Sequence, residues 1–289
     1  MKSCTRSNSV AENLNLWNQE HAWLEHGDEW KGQADSCGVP YPEWKASVVD
    51  RLITPYAKPG STILELAPGH GRWTEALSSL AGRLILVDLS PGCIEECRRR
   101  FEGRDRLETY VNDGRSLPPG LDCQVDLVWS FDSLVHVAPR EIQNYLFEIH
   151  RVLKPGGFAV IHHANRRHWT LPLAPLRSLG PTWALLYRYL SMGTEESADG
   201  WRSAVSVKLF RTMATRAGLS VLENLSRWGD GNRYGVPRHN DRVTILVKAP
   251  EDHANGQLLP HERNSQASEP NTPGSPSIFD RSQKNEAPG

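Results

Sequence analysis

The sequence predicts an α/β fold: a doubly wound, mostly parallel sheet of seven strands with helices on both faces. Three observations lead there. Short apolar runs alternate with helical stretches from residue 62 onward. A glycine-bearing turn joins the first run to the first helix of that series, and acids stand at the ends of three successive runs.

Residues 10–25 carry Leu14, Trp17 and Leu24 at roughly helical spacing and read as an amphipathic helix. Residues 27–40 read as a turn-rich connection. Residues 42–56 form a second helix, with Pro42 early in it, where a missing N–H does no harm. Strands are expected at 62–66, 84–88, 107–112, 125–130 and 158–163, with helices at 73–80 and 91–101 between the first three. A further helix starts at Pro139 and repeats apolar residues at Ile142, Leu146, Ile149 and Leu153. It stops at Lys154-Pro155-Gly156-Gly157, whose proline and glycines turn the chain back. A last helix at 205–217 precedes strands at 219–227 and 242–248.

At 289 residues the chain suits one domain with appendages. We divide it into an N-terminal helical cap (1–45), a main domain (46–250) and a disordered tail (251–289), rich in Pro, Ser, Asn, Glu and Gln. A helical insertion at 165–200 follows the fifth strand, too long for a simple loop. Lys plus Arg (33) nearly balances Asp plus Glu (34), so no global field draws in nucleic acid or a membrane surface. No apolar run approaches a membrane span, and no basic-then-apolar leader is visible. The five cysteines are scattered and form no zinc pattern, which favours reduced thiols and a cytoplasmic setting. No carboxylate cluster calls for a metal.

The chemistry concentrates where strands end. In Thr62-Ile63-Leu64-Glu65-Leu66-Ala67-Pro68-Gly69-His70-Gly71 an apolar strand enters a tight turn and then a helix. Ligands of open α/β sheets bind beyond the carboxyl ends of the strands, and glycine lets backbone approach them closely. Glu65 ends the first strand and Asp88 the second. An acid about twenty residues after such a turn can accept hydrogen bonds from ribose hydroxyls. Asp113, before Gly114, ends the third and could accept from an adenine amino group. Each acid alone could equally be a cap or a turn residue.

These residues resemble the class I S-adenosylmethionine-dependent methyltransferase family, whose fold is Rossmann-like with an antiparallel last strand. The resemblance covers Glu65 through Gly71, Asp88, Asn112-Asp113-Gly114, the strand end at 126–132 and Lys154-Pro155-Gly156-Gly157. It implies S-adenosyl-L-methionine as cofactor, with Glu65 at the methionine amino group, Asp88 at the ribose and Asp113 at the adenine. It also places Ala67, Gly69, Gly71, Leu89, Gly114, Ser130 and Phe131 around the cofactor. One departure is Ala67, where the family's motif has its first glycine. A methyl there suits a cofactor without pyrophosphate better than a dinucleotide, which weighs against a nicotinamide dehydrogenase.

Methyl transfer from a sulfonium needs alignment more than activation, but an alcohol acceptor gains from a general base. The candidates are Asp132 and His136 after the fourth strand, and His162 and His163 on the fifth. Adjacent strand residues face opposite sides, so one of the histidine pair is expected to face the cofactor. His136 could equally be a packed histidine, and Asp132 a helix cap. Phe131–His136, Ile161–Asn165 and Trp201-Arg202-Ser203 look similar to bacterial methyltransferases of sugar and surface-glycan pathways. That resemblance implies O-methylation of a sugar or other small-molecule hydroxyl. Ten tryptophans, several in the cap and insertion, could stack on such an acceptor or simply anchor those segments. The alternatives are an N- or C-methyltransferase of a secondary metabolite and a non-catalytic methyltransferase-like binding protein. A homodimer is compatible with all of them. The fourth strand lacks the Asn/Asp-Pro-Pro-aromatic sequence of DNA amino-methyltransferases.

Overall fold

The computed structural model describes residues 9–21, 23, 31–166, 179–190 and 202–250. Its sheet strands are β1 (Ser61–Leu66), β2 (Ala81–Asp88), β3 (Leu107–Val111), β4 (Val125–Ser130), β5 (Leu153–His163), β6 (Leu219–Leu225) and β9 (Arg242–Lys248). A separate hairpin pairs β7 (Arg227–Trp228) with β8 (Tyr234–Gly235). The sheet order is β3-β2-β1-β4-β5-β9-β6. The first five strands run parallel, and β9, the last in the chain, is antiparallel to both β5 and β6. The expected doubly wound sheet with an antiparallel last strand is therefore present.

The helices are α1 (Val10–Asn15), α2 (Gly32–Cys37), α3 (Tyr41–Val48), α4 (Thr74–Ser78), α5 (Pro91–Arg100), α6 (Pro139–Val152), α7 (Pro181–Leu190) and α8 (Val207–Arg216). Ser9 and Glu12 close a reciprocal capping box at the start of α1. A wider π-helical turn extends α1 over Leu16–Glu20 and another extends α3 over Val49–Ile53. Alternate residues of the strands enter opposite cores. Ile63, Leu84, Leu86, Leu127 and Val160 pack with Trp44, Leu77 and Ile94 on one face. Leu64, Leu66, Ile85, Val87, Val128 and Ile161 pack with Ile142, Leu146, Ile149 and Phe210 on the other. Both faces are covered, which is why these strands read as apolar runs without polar alternation.

Two local expectations are corrected. The connection expected at 27–40 contains α2, a helix too short to stand by itself. It is held by the buried Gln33 side chain, which accepts from the Arg238 N–H at 3.1 Å and reaches the Asp241 carboxylate at 3.4 Å. Its glycine signal belongs to Gly38, a left-handed C-cap at φ 69°. The Pro-Gly-Gly after α6 does not stand as a separate turn. Leu153 already pairs with Val125, and the register shifts before Leu127 meets Phe158, so the glycines form an irregularity inside β5. The tail at 251–289, residues 1–8 and most of the insertion at 165–200 lie outside the described residues; of that insertion, residues 165–166, 179–180 and α7 are described. Among the described residues no helix is long and apolar enough to cross a membrane.

Phe210 of α8 is fully buried, with its ring 3.8 Å from that of His163 and nearly parallel to it. Phe210→Ala should therefore lower stability by about 3–5 kcal/mol, read as a lower urea midpoint at unchanged slope.

Candidate active site

β1 pairs with β2 on one side and β4 on the other, so the sheet order reverses at β1/β4 and a crevice opens beyond their carboxyl ends. The loop after β1 lines it. Ala67, Gly69 and Gly71 have φ of 58°, 58° and 88°. For Ala67 the left-handed conformation costs roughly 1–2 kcal/mol. Its N–H donates to the Val87 carbonyl at 2.7 Å, which fixes the turn against β2. Side chains are excluded at the two glycines: a Cβ on Gly71 would lie 2.4 Å from the Phe101 ring, and one on Gly69 3.0 Å from Trp23.

Glu65 is buried beneath the loop and accepts from the Thr74 hydroxyl at 2.6 Å. Burial lifts its carboxyl to about 8, with the nearby Asp88 charge adding to the effect and the Thr74 hydrogen bond opposing it. Asp88, at the end of β2, accepts from the backbone N–H of Ser90 (2.8 Å) and of Gly69 (3.2 Å). Burial still pushes it up to about 6. Ser90 caps α5, and Asn18 of the N-terminal segment accepts from the Ser90 hydroxyl and the Gly92 N–H. The N-terminal segment thus closes over this end of the cleft, with Val10 against Gly114 and Trp23 stacked on His70 at 4.0 Å.

Asp88, Leu89, Ala67, Gly69, Gly114 and Phe131 line the cleft. Asp113 does not: it is exposed, and one carboxylate oxygen accepts from the N–H groups of Arg115 and Ser116 and from the Ser116 hydroxyl. Ser130 is fully buried beneath Phe131, and its hydroxyl has no partner among the described residues.

The candidate bases are separated sharply. Asp132 and His136 line the cleft. Asp132 adopts φ 62° and pairs with Arg72 at 2.6 Å. His136 is buried, 5.2 Å from the Trp17 ring, and its carbonyl accepts from the Asn13 amide at 3.0 Å. His162 stands behind Phe131, with ring centroids 4.5 Å apart, between Asp132 (3.0 Å) and Asp241 (3.3 Å). Burial opposes its charge, but the two carboxylates outweigh that and raise its pKa. His163 faces the other core and does not reach the cleft. Its Nδ1 donates to the Ala164 carbonyl (2.7 Å) and its Nε2 accepts from Thr244 (2.8 Å). Burial takes it down to about 3, so the ring is neutral.

Sequence reasoning missed Arg72, Arg202 and Asp241 as members of one constellation. Arg72 and Arg202 line the cleft, and Asp241 pairs with Arg202 from the start of β9. No local spacing signals it, because the sheet order alone brings β4, β5 and β9 together.

Residues 63–157 match the methyltransferase domain family. A demethylmenaquinone methyltransferase from Clavibacter sepedonicus is 37% identical over 211 residues, covering 68% of this chain and 83% of the relative. An uncharacterised methyltransferase of Synechocystis is 31% identical over 134 residues, 44% of this chain and 61% of its own. Among solved structures, a chain of the complex between the Haloferax volcanii Trm112 methyltransferase activator and a methyltransferase superposes with TM-score 0.52 at 22% identity, covering 80% of this chain and 98% of that one. The cyclase SpnF superposes with TM-score 0.53 at 16% identity, covering 84% and 96%. These structures share the fold, and a cyclase among them shows that the fold alone does not specify methyl transfer. The relatives in sequence do specify the class: the protein is a methyltransferase of α/β architecture. It belongs to the class I S-adenosylmethionine-dependent methyltransferase family, and S-adenosylmethionine is its cofactor.

The raised carboxyls give a signed pH dependence. A carboxyl whose folded pKa lies above its unfolded value stabilises the fold at low pH and loses that contribution as pH rises through the folded value. For Glu65 the window runs from 4.5 to about 8. The cofactor-free protein should lose a few kcal/mol across it, and Glu65→Gln should flatten the profile in urea titrations at several pH values.

Proposed function

We propose that this methyltransferase acts on a carbon of a flat, electron-rich, hydroxylated ring, with His136 as the base. We assign the cofactor's amino group to Glu65, its ribose hydroxyls to Asp88, and its adenine to the Leu89–Gly114 side of the cleft, with Gly69 and Gly71 giving backbone approach. The residues fit such a group. Two buried carboxyls with raised pKa beside the cleft would gain from a cationic group, and Asp88 and the Gly69 backbone line it. When bound, the cofactor supplies a methyl group already activated on a sulfonium.

The observation that carries the acceptor reading is the aromatic wall of the cleft, where Trp17, Trp23, Trp73 and Phe131 converge. Such faces bind flat rings through dispersion and offset stacking. The Clavibacter relative supports it: its name describes methylation of a quinone, and this chain covers most of its length. On this reading His136 would accept the proton of the ring hydroxyl, which makes the adjacent carbon nucleophilic. The methyl–sulfur bond would break as the carbon–carbon bond forms, the displaced ring hydrogen would leave as a proton, and His136 would return its proton to the oxygen. The O-methylation of a sugar hydroxyl expected from sequence leaned on the β5 histidine pair. His163 points into the far core and His162 is fully buried between carboxylates, which leaves that reading the weaker of the two.

Methyl-labelled cofactor incubated with a demethylated naphthohydroquinone and, separately, with a panel of hexoses decides between them. Label should enter the naphthohydroquinone ring. His136→Asn should lower kcat by about a hundredfold or more while cofactor affinity stays within about twofold. Label on a hexose, or a His136→Asn enzyme at full rate, would sink the assignment. Asp88→Asn should instead weaken cofactor binding by about tenfold or more, measured by calorimetry.

A further inference from the structure

Behind Phe131 lies a row of buried charges that the cofactor cradle does not use. Arg72 pairs with Asp132 (2.6 Å), Asp132 with His162 (3.0 Å), His162 with Asp241 (3.3 Å), and Asp241 with Arg202. His162 and Asp241 are fully buried, and each arginine is 7% exposed. The row begins and ends in the cleft: Arg72, Asp132 and Arg202 line it, whereas His162 and Asp241 sit behind the wall.

The two arginines differ in how far their donors are used. Arg72 donates to Asp132 and to the Tyr41 hydroxyl (3.1 Å) and lies over the rings of Tyr41, Trp44 and Trp73. Arg202 faces Asp241, but its Nε has no acceptor among the described residues, and neither does the neighbouring Ser203 hydroxyl as a donor. A buried guanidinium donor left unmatched is uncommon in a folded protein, because its desolvation goes uncompensated. The charge count points the same way. Each carboxylate of the row already has its own guanidinium, Asp132 with Arg72 and Asp241 with Arg202, and His162 stands between the two acids, so the row holds no surplus of negative charge. The surrounding groups add none. His239 is held neutral by burial and by Arg202 itself, Arg238 adds a further cation, and Gln33 offers Asp241 a neutral amide. Glu141, which also lines the cleft, lies 3.9 Å from Arg115, its own counter-charge.

We propose that Arg202 is an acceptor-binding residue that takes an anionic oxygen, so that the acceptor of this enzyme carries a carboxylate or an ionised ring hydroxyl. Asp241 and His162 are positioning residues in this arrangement. Anchored on β9 and β5, they hold the guanidinium at the cleft wall while Asp132 and Arg72 close the row on β4 and the glycine loop. Arginine suits the task, since its planar fork holds two oxygens in one plane and stays charged when buried. The inference rests on the ring-acceptor reading for the shape of the acceptor and is independent of it for the charge.

Binding of four probes to the full chain saturated with S-adenosylhomocysteine separates the two. The probes are 2-naphthoate, 2-naphthylmethanol, cyclohexanecarboxylate and cyclohexylmethanol, with affinities read by calorimetry. Each carboxylate should bind about tenfold or more tightly than its alcohol. Arg202→Gln should erase that preference and leave S-adenosylhomocysteine affinity within about twofold. The paired variant Arg202→Gln with Asp241→Asn removes both charges and leaves no bare buried carboxylate; it should erase the preference equally and is read in place of the single variant if that one fails to fold. Carboxylates binding no tighter than alcohols, or a preference that survives the paired variant, overturns the assignment of Arg202. Cyclohexyl probes binding as well as naphthyl ones, with the carboxylate preference intact, overturns the flat-ring reading and leaves Arg202 standing.

Discussion

The structure depends on β1 being flanked on both sides by parallel partners. Glu65 lies opposite Leu86 of β2 and Trp129 of β4, so its carboxyl sits in the middle of a sheet edge with no route to bulk water. That placement opens the crevice beyond Leu66 and buries the acid beneath the loop that lines it. It also forces the tight turn after Leu66, because the chain must leave the sheet and enter α4 without filling the opening. The left-handed residues Ala67, Gly69 and Gly71 follow from this geometry. Asp88 then stands opposite the loop because β2 is in register with β1, and its carboxylate accepts from the Gly69 N–H across the gap.

Much of this was legible in the sequence because it is local. A strand is announced by its apolar run, a helix start by Ser90-Pro91 or Pro139, and the crevice by glycines after a strand. Helix α2 was not legible, because its stability comes from the Gln33 contacts with Arg238 and Asp241, far along the chain. The register irregularity in β5 was not legible either. Pro155, Gly156 and Gly157 look alike whether they end an element or bend one, and the pairing of Leu153 with Val125 decides between the two.

The site divides along the same line. Glu65, Asp88 and the glycines could be found because each follows its own strand. Asp113 occupies an equivalent position in sequence, yet its carboxylate is consumed by the turn it begins, where Arg115 and Ser116 offer three donors within 3 Å. A short acid beside free backbone N–H groups folds onto them unless something holds it away. Asp88 also accepts from backbone, from Ser90, but its second oxygen faces the loop across the crevice. The Arg72–Arg202 row was beyond reach for a topological reason: its members come from the glycine loop, β4, β5, β9 and the segment before α8. Their meeting is a property of the strand order, which no spacing in the chain encodes.

The adjacent histidines of β5 show how far one residue's step can separate two identical groups. Strand alternation sends His162 toward Phe131 and the carboxylates, and His163 toward Phe210. Both rings are fully buried, so desolvation lowers the pKa of each. The outcome then turns on partners. His162 has two carboxylates within 3.3 Å, which favour the charged form more than burial opposes it. His163 has a carbonyl and a hydroxyl, both satisfied by the neutral Nδ1–H tautomer, and Asn224 completes the chain by donating to Thr244. One histidine therefore belongs to an ionic row that reaches the cleft, and the other to a neutral network that ties β5 to β9 and β6. A proton on His162 would be shared between those two carboxylates. The same proton on His163 would sit against an aromatic ring and a hydroxyl with no counter-ion, so the strand can carry that charge on one face only.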